Sequence, residues 1–140
     1  MNTEQIIKEI LLSSKTIASV GLSSNPAKES YGIVQYLKDQ GYRIIPVNPT
    51  ASEILGEKAY PDLSSIPEKV DVVQVFRKPE DVPPVVDEAI KIGAKVLWMQ
   101  EGIVHEEAAQ KAVAAGLQVV MDACMRVAHR RLIGAKPIKL

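Results

Sequence analysis

Five short apolar segments alternate with helical patterns along this chain of 140 residues, and this alternation constrains its fold more than any other feature. The segments are almost continuously apolar, which is typical of parallel strands buried on both faces of a sheet. Between them, apolar residues recur at helical spacing, and Gly41, Gly93 and Gly116 are placed to end three helices. The predicted strands span residues 16–20, 42–47, 70–76, 95–99 and 117–121.

Such an alternation predicts an α/β fold with a parallel sheet and helices on both faces. Crossovers between parallel strands are right-handed, and the usual winding of five strands gives the order 3-2-1-4-5. We therefore predict a Rossmann-like, doubly wound, single domain over residues 1–140, because a domain usually has about 100–200 residues. Ligands of such sheets bind where the winding reverses, which this order places between strands 1 and 4, above Gly21.

Composition and charge exclude several classes of function. The 17 lysines and arginines equal the 17 aspartates and glutamates in number, so there is no basic excess for binding nucleic acid. No apolar run approaches the roughly 18–20 residues that cross a bilayer, so no membrane partner is expected. Cys124 is the only cysteine, which rules out an intrachain disulfide and suits a cytoplasmic location.

A polar loop follows the first strand at the predicted reversal point. Gly21 lets the backbone approach a ligand closely, and the N–H groups at the start of the next helix point into the crevice. Ser23, Ser24 and Ser30 add hydroxyl donors, and Lys28 adds a cation. This set of donors favours a phosphate-binding loop over a simple polar turn.

The same loop lacks the fingerprints of two common nucleotide sites. Binding of NAD usually requires G-x-G-x-x-G and an acidic residue about 20 residues further on. Here the second and third glycine positions hold Ser23 and Pro26, and the second strand ends at Asn48 instead of an acid. No G-x-x-x-x-G-K-[ST] motif is present. The loop therefore suits a phosphorylated nucleotide, but neither the usual NAD mode nor ATP hydrolysis.

Three segments carry a resemblance to a known family: VGLSSNPAKESYGIVQYLKDQGYRIIPVNP, DVVQVFRKPEDVPPVVDEAIKIGAKVLWMQEGI and AGLQVVMDACMRVAHRRL. They resemble the small stand-alone CoA-binding proteins, a family similar to the CoA-binding domain of the succinyl-CoA synthetase alpha subunit. The resemblance implies a Rossmann-like domain that binds coenzyme A, with the first loop cradling the pyrophosphate. The cofactor-binding residues that it implies are Gly21, Ser23, Ser24, Asn25, Lys28, Ser30, Pro46, Asn48, Pro49, Phe76, Arg77, Gln100 and Glu101.

The implied binding residues lie at the carboxyl ends of adjacent predicted strands, so the residue pattern and the resemblance agree on one crevice. Arg77 could donate a charge-assisted hydrogen bond to a phosphate, and a solvated surface role is equally open. The family often has DRCM where this chain has Asp122-Ala123-Cys124-Met125, so one arginine that could face the crevice is missing. For Arg126, Arg130 and Arg131, a solvated helix face is favoured over a compensating contact.

The sequence does not indicate chemistry beyond binding. His105 stands where a helix N-cap belongs, and His129 has no neighbour in sequence that completes a triad. Cys124 follows an apolar strand, as a packed thiol does, and no spacing suits a metal site. We therefore predict a protein that is not an enzyme and whose partner is coenzyme A or an acyl-CoA.

Two alternatives stay open at this point. One is an NAD(P)-binding or redox-sensing Rossmann module with an unusual loop. The other is an enzyme acting on a CoA thioester, with Cys124 as its nucleophile. The sequence determines neither the acyl group nor the oligomeric state.

Overall fold

A computed structural model describes residues 3–136 of the chain. Its strands are β1 (Thr16–Val20), β2 (Arg43–Val47), β3 (Glu53–Ile54), β4 (Glu57–Lys58), β5 (Val72–Val75), β6 (Val96–Met99) and β7 (Gln118–Val120). Its helices are α1 (Thr3–Ser13), α2 (Glu29–Asp39), α3 (Val82–Lys91), α4 (Glu106–Ala114) and α5 (Met125–Leu132). Five strands form one wholly parallel sheet in the order β2-β1-β5-β6-β7.

The predicted class, a Rossmann-like doubly wound α/β fold, is confirmed, but one strand lies elsewhere than expected. The third predicted strand, β5, pairs with β1 through Ile17 and Val72 and not with β2. The place beyond β2 is taken by Tyr60, which forms a single parallel bridge to Val47. The order 3-2-1-4-5 therefore holds only with the segment at Tyr60 in third place. The winding reverses between β1 and β5, instead of between the predicted strands 1 and 4.

The connection between β2 and β5 contains a short hairpin. Leu55 and Gly56 have φ angles of 56° and 74°, which turn β3 back against β4 in antiparallel pairing. Positive φ at both central residues is the geometry of a tight hairpin turn. Further on, the Asp62 side chain accepts a hydrogen bond from Ser65 N and caps a short 3₁₀ turn, which ends the edge segment at Tyr60.

Apolar layers fill both sides of the sheet. Residues of β1, β5 and β6 alternate between the two layers, as Ile17 and Ala18 illustrate. The helices α3 and α4 cover one face, and α1, α2 and α5 cover the other. Trp98 of β6 is fully buried on the second face and donates from Nε1 to the carbonyl oxygen of Ala123 at 2.8 Å. Within residues 3–136, no helix has the length and apolar character of a membrane span.

Candidate functional site

The loops that follow β1 and β5 meet at the reversal point of the sheet. Gly21 has a φ of +86°, a conformation that favours glycine. A Cβ atom at Gly21 would lie 3.1 Å from the carbonyl oxygen of Phe76 and 3.3 Å from Cδ of Arg77. The absence of a side chain at Gly21 therefore lets these two predicted site segments lie against each other.

The loop after Gly21 uses several of its own polar groups. Ser30 Oγ accepts from Ser23 N at 3.1 Å, Ser23 Oγ accepts from Asn25 N at 3.0 Å, and Asn25 Oδ1 accepts from Ala27 N at 3.0 Å. These three amides are therefore already hydrogen-bonded within the protein, so not every amide of the loop can bind a ligand. Because a hydroxyl that accepts can still donate, the O–H groups of Ser23 and Ser30 stay available to a ligand.

Other amides of the loop and the following helix make no hydrogen bond within the described part of the chain. They belong to Leu22, Ser24, Glu29 and Ser30, and the last two open α2. The N-cap residue Lys28 makes no side-chain cap, so the helix leaves its first amides without a partner. These amides and the helix dipole together favour an anion at this point. The exposed Glu29 carboxylate is the one unfavourable charge in the first turn.

Asn48 fixes this loop to the end of β2. Its Nδ2 donates to the carbonyl oxygen of Leu22 at 3.0 Å. Its Oδ1 accepts from Thr50 N at 2.8 Å and from Ala51 N at 3.2 Å. Both polar ends of the side chain are engaged within the protein, so Asn48 positions the loop in this structure.

The structure does not bring all predicted site residues into one surface. Pro46 is buried inside β2, where its carbonyl oxygen accepts from Tyr60 N at 3.0 Å. Pro49 and Ser24 are exposed on the rim, and Glu101 is exposed beyond the end of β6. A contact between a ligand and Pro46 therefore requires the chain to open, whereas the other three residues are reachable.

A cleft of about 130 Å³ opens between the N-termini of α2 and α5, over the carboxyl ends of β5 and β6. The residues that line it are Glu29, Ser30, Ile33, Phe76, Gln100, Glu101, Ile103 and Cys124. Four predicted site residues are among them, and Ser23 adjoins the cleft through its hydrogen bond to Ser30. A larger depression of about 330 Å³ lies between α3 and α4, and none of the predicted site residues lines it.

A buried row of polar side chains lies under the cleft and was missed by the sequence analysis. Ser19 Oγ donates to Gln74 Oε1 at 2.8 Å, and Gln74 Nε2 donates to Gln100 Oε1 at 3.1 Å. Met125 N, at the start of α5, donates to the same Gln100 oxygen at 3.0 Å. Polar residues inside the apolar segments TIASV and VVQV were the available signal.

Cys124 lies on the side of the cleft that is far from the loop after β1. It is the N-cap residue of α5, and its side chain is 9% exposed, which confirms the predicted packed thiol. The cleft extends from Ser30 on α2 to Cys124, so a ligand bound at the loop could reach the sulfur.

The cations near the loop are Lys28 and Arg77. Lys28 is exposed, and Arg77 is half-buried with its stem against Gly21. No carboxylate among the described residues pairs with either side chain. Both charges are therefore available to an anion at the reversal point.

The arginines of α5 have different surroundings, and the expected solvated face is only partly correct. Arg130 and Arg131 are exposed, with the Arg130 guanidinium 4.8 Å from the ring centre of Tyr36. Arg126 is instead half-buried against α2, where its Nη1 lies 3.5 Å from the place of a Cβ on Gly32. Its Nε is buried without a hydrogen-bond partner in the part of the chain that the structure describes.

The two histidines lie outside the cleft. His105 caps α4, accepting from Ala108 N at Nδ1 over 3.1 Å, as predicted. His129 is 4% exposed, and its Nδ1 lies 2.8 Å from the hydroxyl oxygen of Tyr36. Burial, and secondarily the charge of Lys136, lowers the pKa of His129 below its ordinary value. Residues 3–136 contain no group of three or more His, Cys, Asp or Glu side chains arranged for a metal ion.

The chain belongs to the family described as CoA binding domain, whose model matches residues 15–130. It is 48% identical over 123 residues to the uncharacterized protein YneT of Bacillus subtilis (strain 168), covering 88% of this chain and 91% of that protein. It also matches a solved structure of a hypothetical protein from Pyrococcus horikoshii OT3, with 44% identity, a TM-score of 0.92 and coverage of 95% and 94%.

A longer relative contains a similar region. The ADP-forming acetate–CoA ligase II of Archaeoglobus fulgidus is 37% identical over 83 residues, which are 58% of this chain. The match spans 12% of the length of that ligase. The similarity therefore concerns one region of the ligase.

Proposed function

We propose that this chain binds coenzyme A or an acyl-CoA at the carboxyl ends of β1, β2, β5 and β6. The observation that carries the proposal is the open N-terminus of α2 at the reversal point of the sheet. There the amides of Glu29 and Ser30 have no partner within the described structure, and the Ser30 hydroxyl connects this helix start to Ser23 of the loop. Membership of the CoA-binding domain family supports the choice of ligand.

The pyrophosphate is expected at this helix start. One negative charge at a helix N-terminus gains about 0.3–1 kcal/mol when exposed, and up to about 2 kcal/mol when partly buried. Arg77 and Lys28 have no carboxylate partner in residues 3–136, so both can neutralise the diphosphate without breaking an ion pair. The Glu29 carboxylate would repel the diphosphate, so its side chain must turn away from the ligand.

The rest of the ligand is assigned by the order of strands around this point. The loop after β1 lies between the end of β2 on one side and the ends of β5 and β6 on the other. We place the adenosine part at the β2 rim, near Asn48 and Pro49, and the sulfur-bearing arm in the cleft that ends at Cys124. Asn48 then acts by holding the loop through Leu22.

We propose a binding role without catalysis for a single domain in the cytoplasm. The match to the acetate–CoA ligase spans 12% of that enzyme, so its ligase activity is not carried over to this chain. Cys124 lines the cleft, and this observation keeps a thioester enzyme as the second candidate. The NAD(P)-binding alternative has no such support, because Asn48 stands where an acidic residue would bind the ribose.

Differential scanning fluorimetry with CoA, acetyl-CoA, NAD, NADP and ATP tests the proposal. A ligand at 100 times its Kd adds about 2.7 kcal/mol of stability, which shifts the melting temperature by several degrees. We expect a shift with CoA and acetyl-CoA alone. A shift with NAD and none with CoA would refute CoA binding and favour the dinucleotide alternative.

A further inference from the structure

Gln100 combines deep burial with an unsatisfied donor. Its side chain is 3% exposed and lines the cleft. The Oε1 atom accepts from Gln74 Nε2 and Met125 N, whereas Nε2 has no acceptor among residues 3–136. Among residues 3–136, Arg126 Nε is the one side-chain nitrogen or oxygen that is fully enclosed and has no hydrogen-bond partner. Gln100 Nε2 also has no partner in that range but is not fully enclosed. Its NH₂ group is therefore open to the cleft that Gln100 lines.

The orientation of this amide is set by a group that can only donate. Met125 N is a backbone N–H, so the Gln100 atom that faces it must be the oxygen. Gln74 must then present its NH₂ group to that oxygen, and its own oxygen receives the Ser19 hydroxyl. A flip of Gln100 would break two buried hydrogen bonds, and the NH₂ group is therefore held toward the cleft.

We propose that Gln100 Nε2 donates a hydrogen bond to a carbonyl oxygen on the sulfur-bearing arm of the ligand. This inference rests on the proposed function. The arm contains two amide groups, whose carbonyl oxygens need donors when they leave water. The adenosine part is placed on the other side of the loop, toward β2, and the pyrophosphate at the start of α2. Gln100 thus distinguishes CoA from nucleotides that lack the arm, and Ser19 and Gln74 are positioning residues that act through it.

The variant Gln100→Glu tests the donor with little change of shape. Its carboxylate still accepts from Met125 N and Gln74 Nε2 but has no NH₂ group. Titration calorimetry compares CoA with 3′-phospho-ADP, the nucleotide part of CoA. We expect the Kd for CoA to rise by about tenfold or more, and the Kd for 3′-phospho-ADP to change by less than about twofold. Gln110→Glu, on the exposed side of α4, is the control and should change neither Kd.

Ser19→Ala tests the positioning role, because it removes the hydrogen bond that holds the Gln74 side chain in place against Gln100. We expect the ratio of the two Kd values to move toward that of Gln100→Glu, which a loss of stability alone would not produce. In the wild type, the side-chain NH₂ resonance of Gln100 should shift with CoA and stay in place with 3′-phospho-ADP. This NMR measurement needs no altered protein to fold.

The possible outcomes distinguish the role of Gln100 from the proposed binding of CoA, on which that role rests. Equal losses for both ligands, no loss for CoA, or an unmoved NH₂ resonance in the CoA complex would overturn the role of Gln100 while CoA binding stands. A wild-type protein that fails to bind CoA would overturn the proposed function and this inference with it.

Discussion

Gly21 and Phe76 approach so closely that a single Cβ atom on Gly21 would lie 3.1 Å from the Phe76 carbonyl oxygen. The contact joins the loops after β1 and β5, the two strands between which the winding reverses. Gly21 N also donates to the carbonyl oxygen of Val47 at 3.0 Å, and Phe76 N donates to that of Val20 at 2.9 Å. The backbone at this point is consequently held from both sides.

We expect Gly21→Ala to lower the free energy of unfolding by more than the strain of a left-handed residue alone. That strain costs roughly 1–2 kcal/mol, and here a fixed backbone oxygen adds a clash. Gly93→Ala is the matched control, since Gly93 has a φ of +75° and nothing within 4 Å of its would-be Cβ. Urea unfolding measures both variants. Equal losses would show that the contact with Phe76 is unimportant.

The turn at Gly21 is predictable from the sequence, whereas part of the structure around it is not. The bounds of β1 agree with the predicted residues 16–20, because a continuous apolar run ending in glycine is a local signal. The bridge at Tyr60 and the turn at Leu55 depend on pairing with distant segments, which no local pattern reveals. Leucine rarely adopts a positive φ, so the residue type at Leu55 does not indicate the first position of a hairpin turn.

The row under the cleft was missed for the same reason. Ser19 and Gln74 are adjacent only because β1 and β5 pair in register. The predicted order placed the third strand beside the second, which would have kept these two residues apart. Their burial is invisible in the composition of either strand, and the hydrogen bond from Met125 N depends on where α5 starts.

Asn48→Asp should destabilise the loop after β1. The aspartate keeps the acceptor for Thr50 N but loses the donor to the Leu22 carbonyl oxygen and places a negative charge against it. We expect a loss of about 1–3 kcal/mol in urea unfolding, together with weaker CoA binding by calorimetry. For the stability measurement, Asn25→Asp is the control, because Asn25 uses only its acceptor, from Ala27 N. A similar loss in both variants would contradict the role given to Asn48.

Acid should weaken the fold through His129 before the carboxylates protonate. Burial lowers the pKa of His129 below its ordinary 6.5, so the folded state takes up this proton at lower pH than the unfolded chain. Between these two pKa values the unfolded state binds more protons than the folded state. The free energy of unfolding therefore decreases as the pH is lowered through this range. The contribution of neutral His129 to the free energy of unfolding is fully present above about pH 6.5 and is lost as the pH falls through the folded-state pKa.

NMR titration of the histidine ring protons measures the His129 pKa directly, and urea unfolding between pH 8 and 5.5 measures its consequence. In His129→Gln, the decrease in stability over this range should be smaller than in the wild type. A His129 that titrates at or above 6.5, or an unchanged pH dependence in the variant, would contradict the effect of burial.

Cys124→Ser separates a packed thiol from a catalytic one. Cys124 is 9% exposed at the far side of the cleft, and neither described histidine lies near enough to line it. Without a histidine beside it to serve as the usual base, the thiol should not attack an acyl-CoA. We expect acetyl-CoA incubated with the wild-type protein to stay intact by liquid chromatography, and Cys124→Ser to bind CoA within about threefold of the wild-type Kd, a difference under 1 kcal/mol. Thioester cleavage that disappears in Cys124→Ser would establish the enzyme alternative. Such a result would leave the site at α2 unchanged and make Cys124 its reactive end.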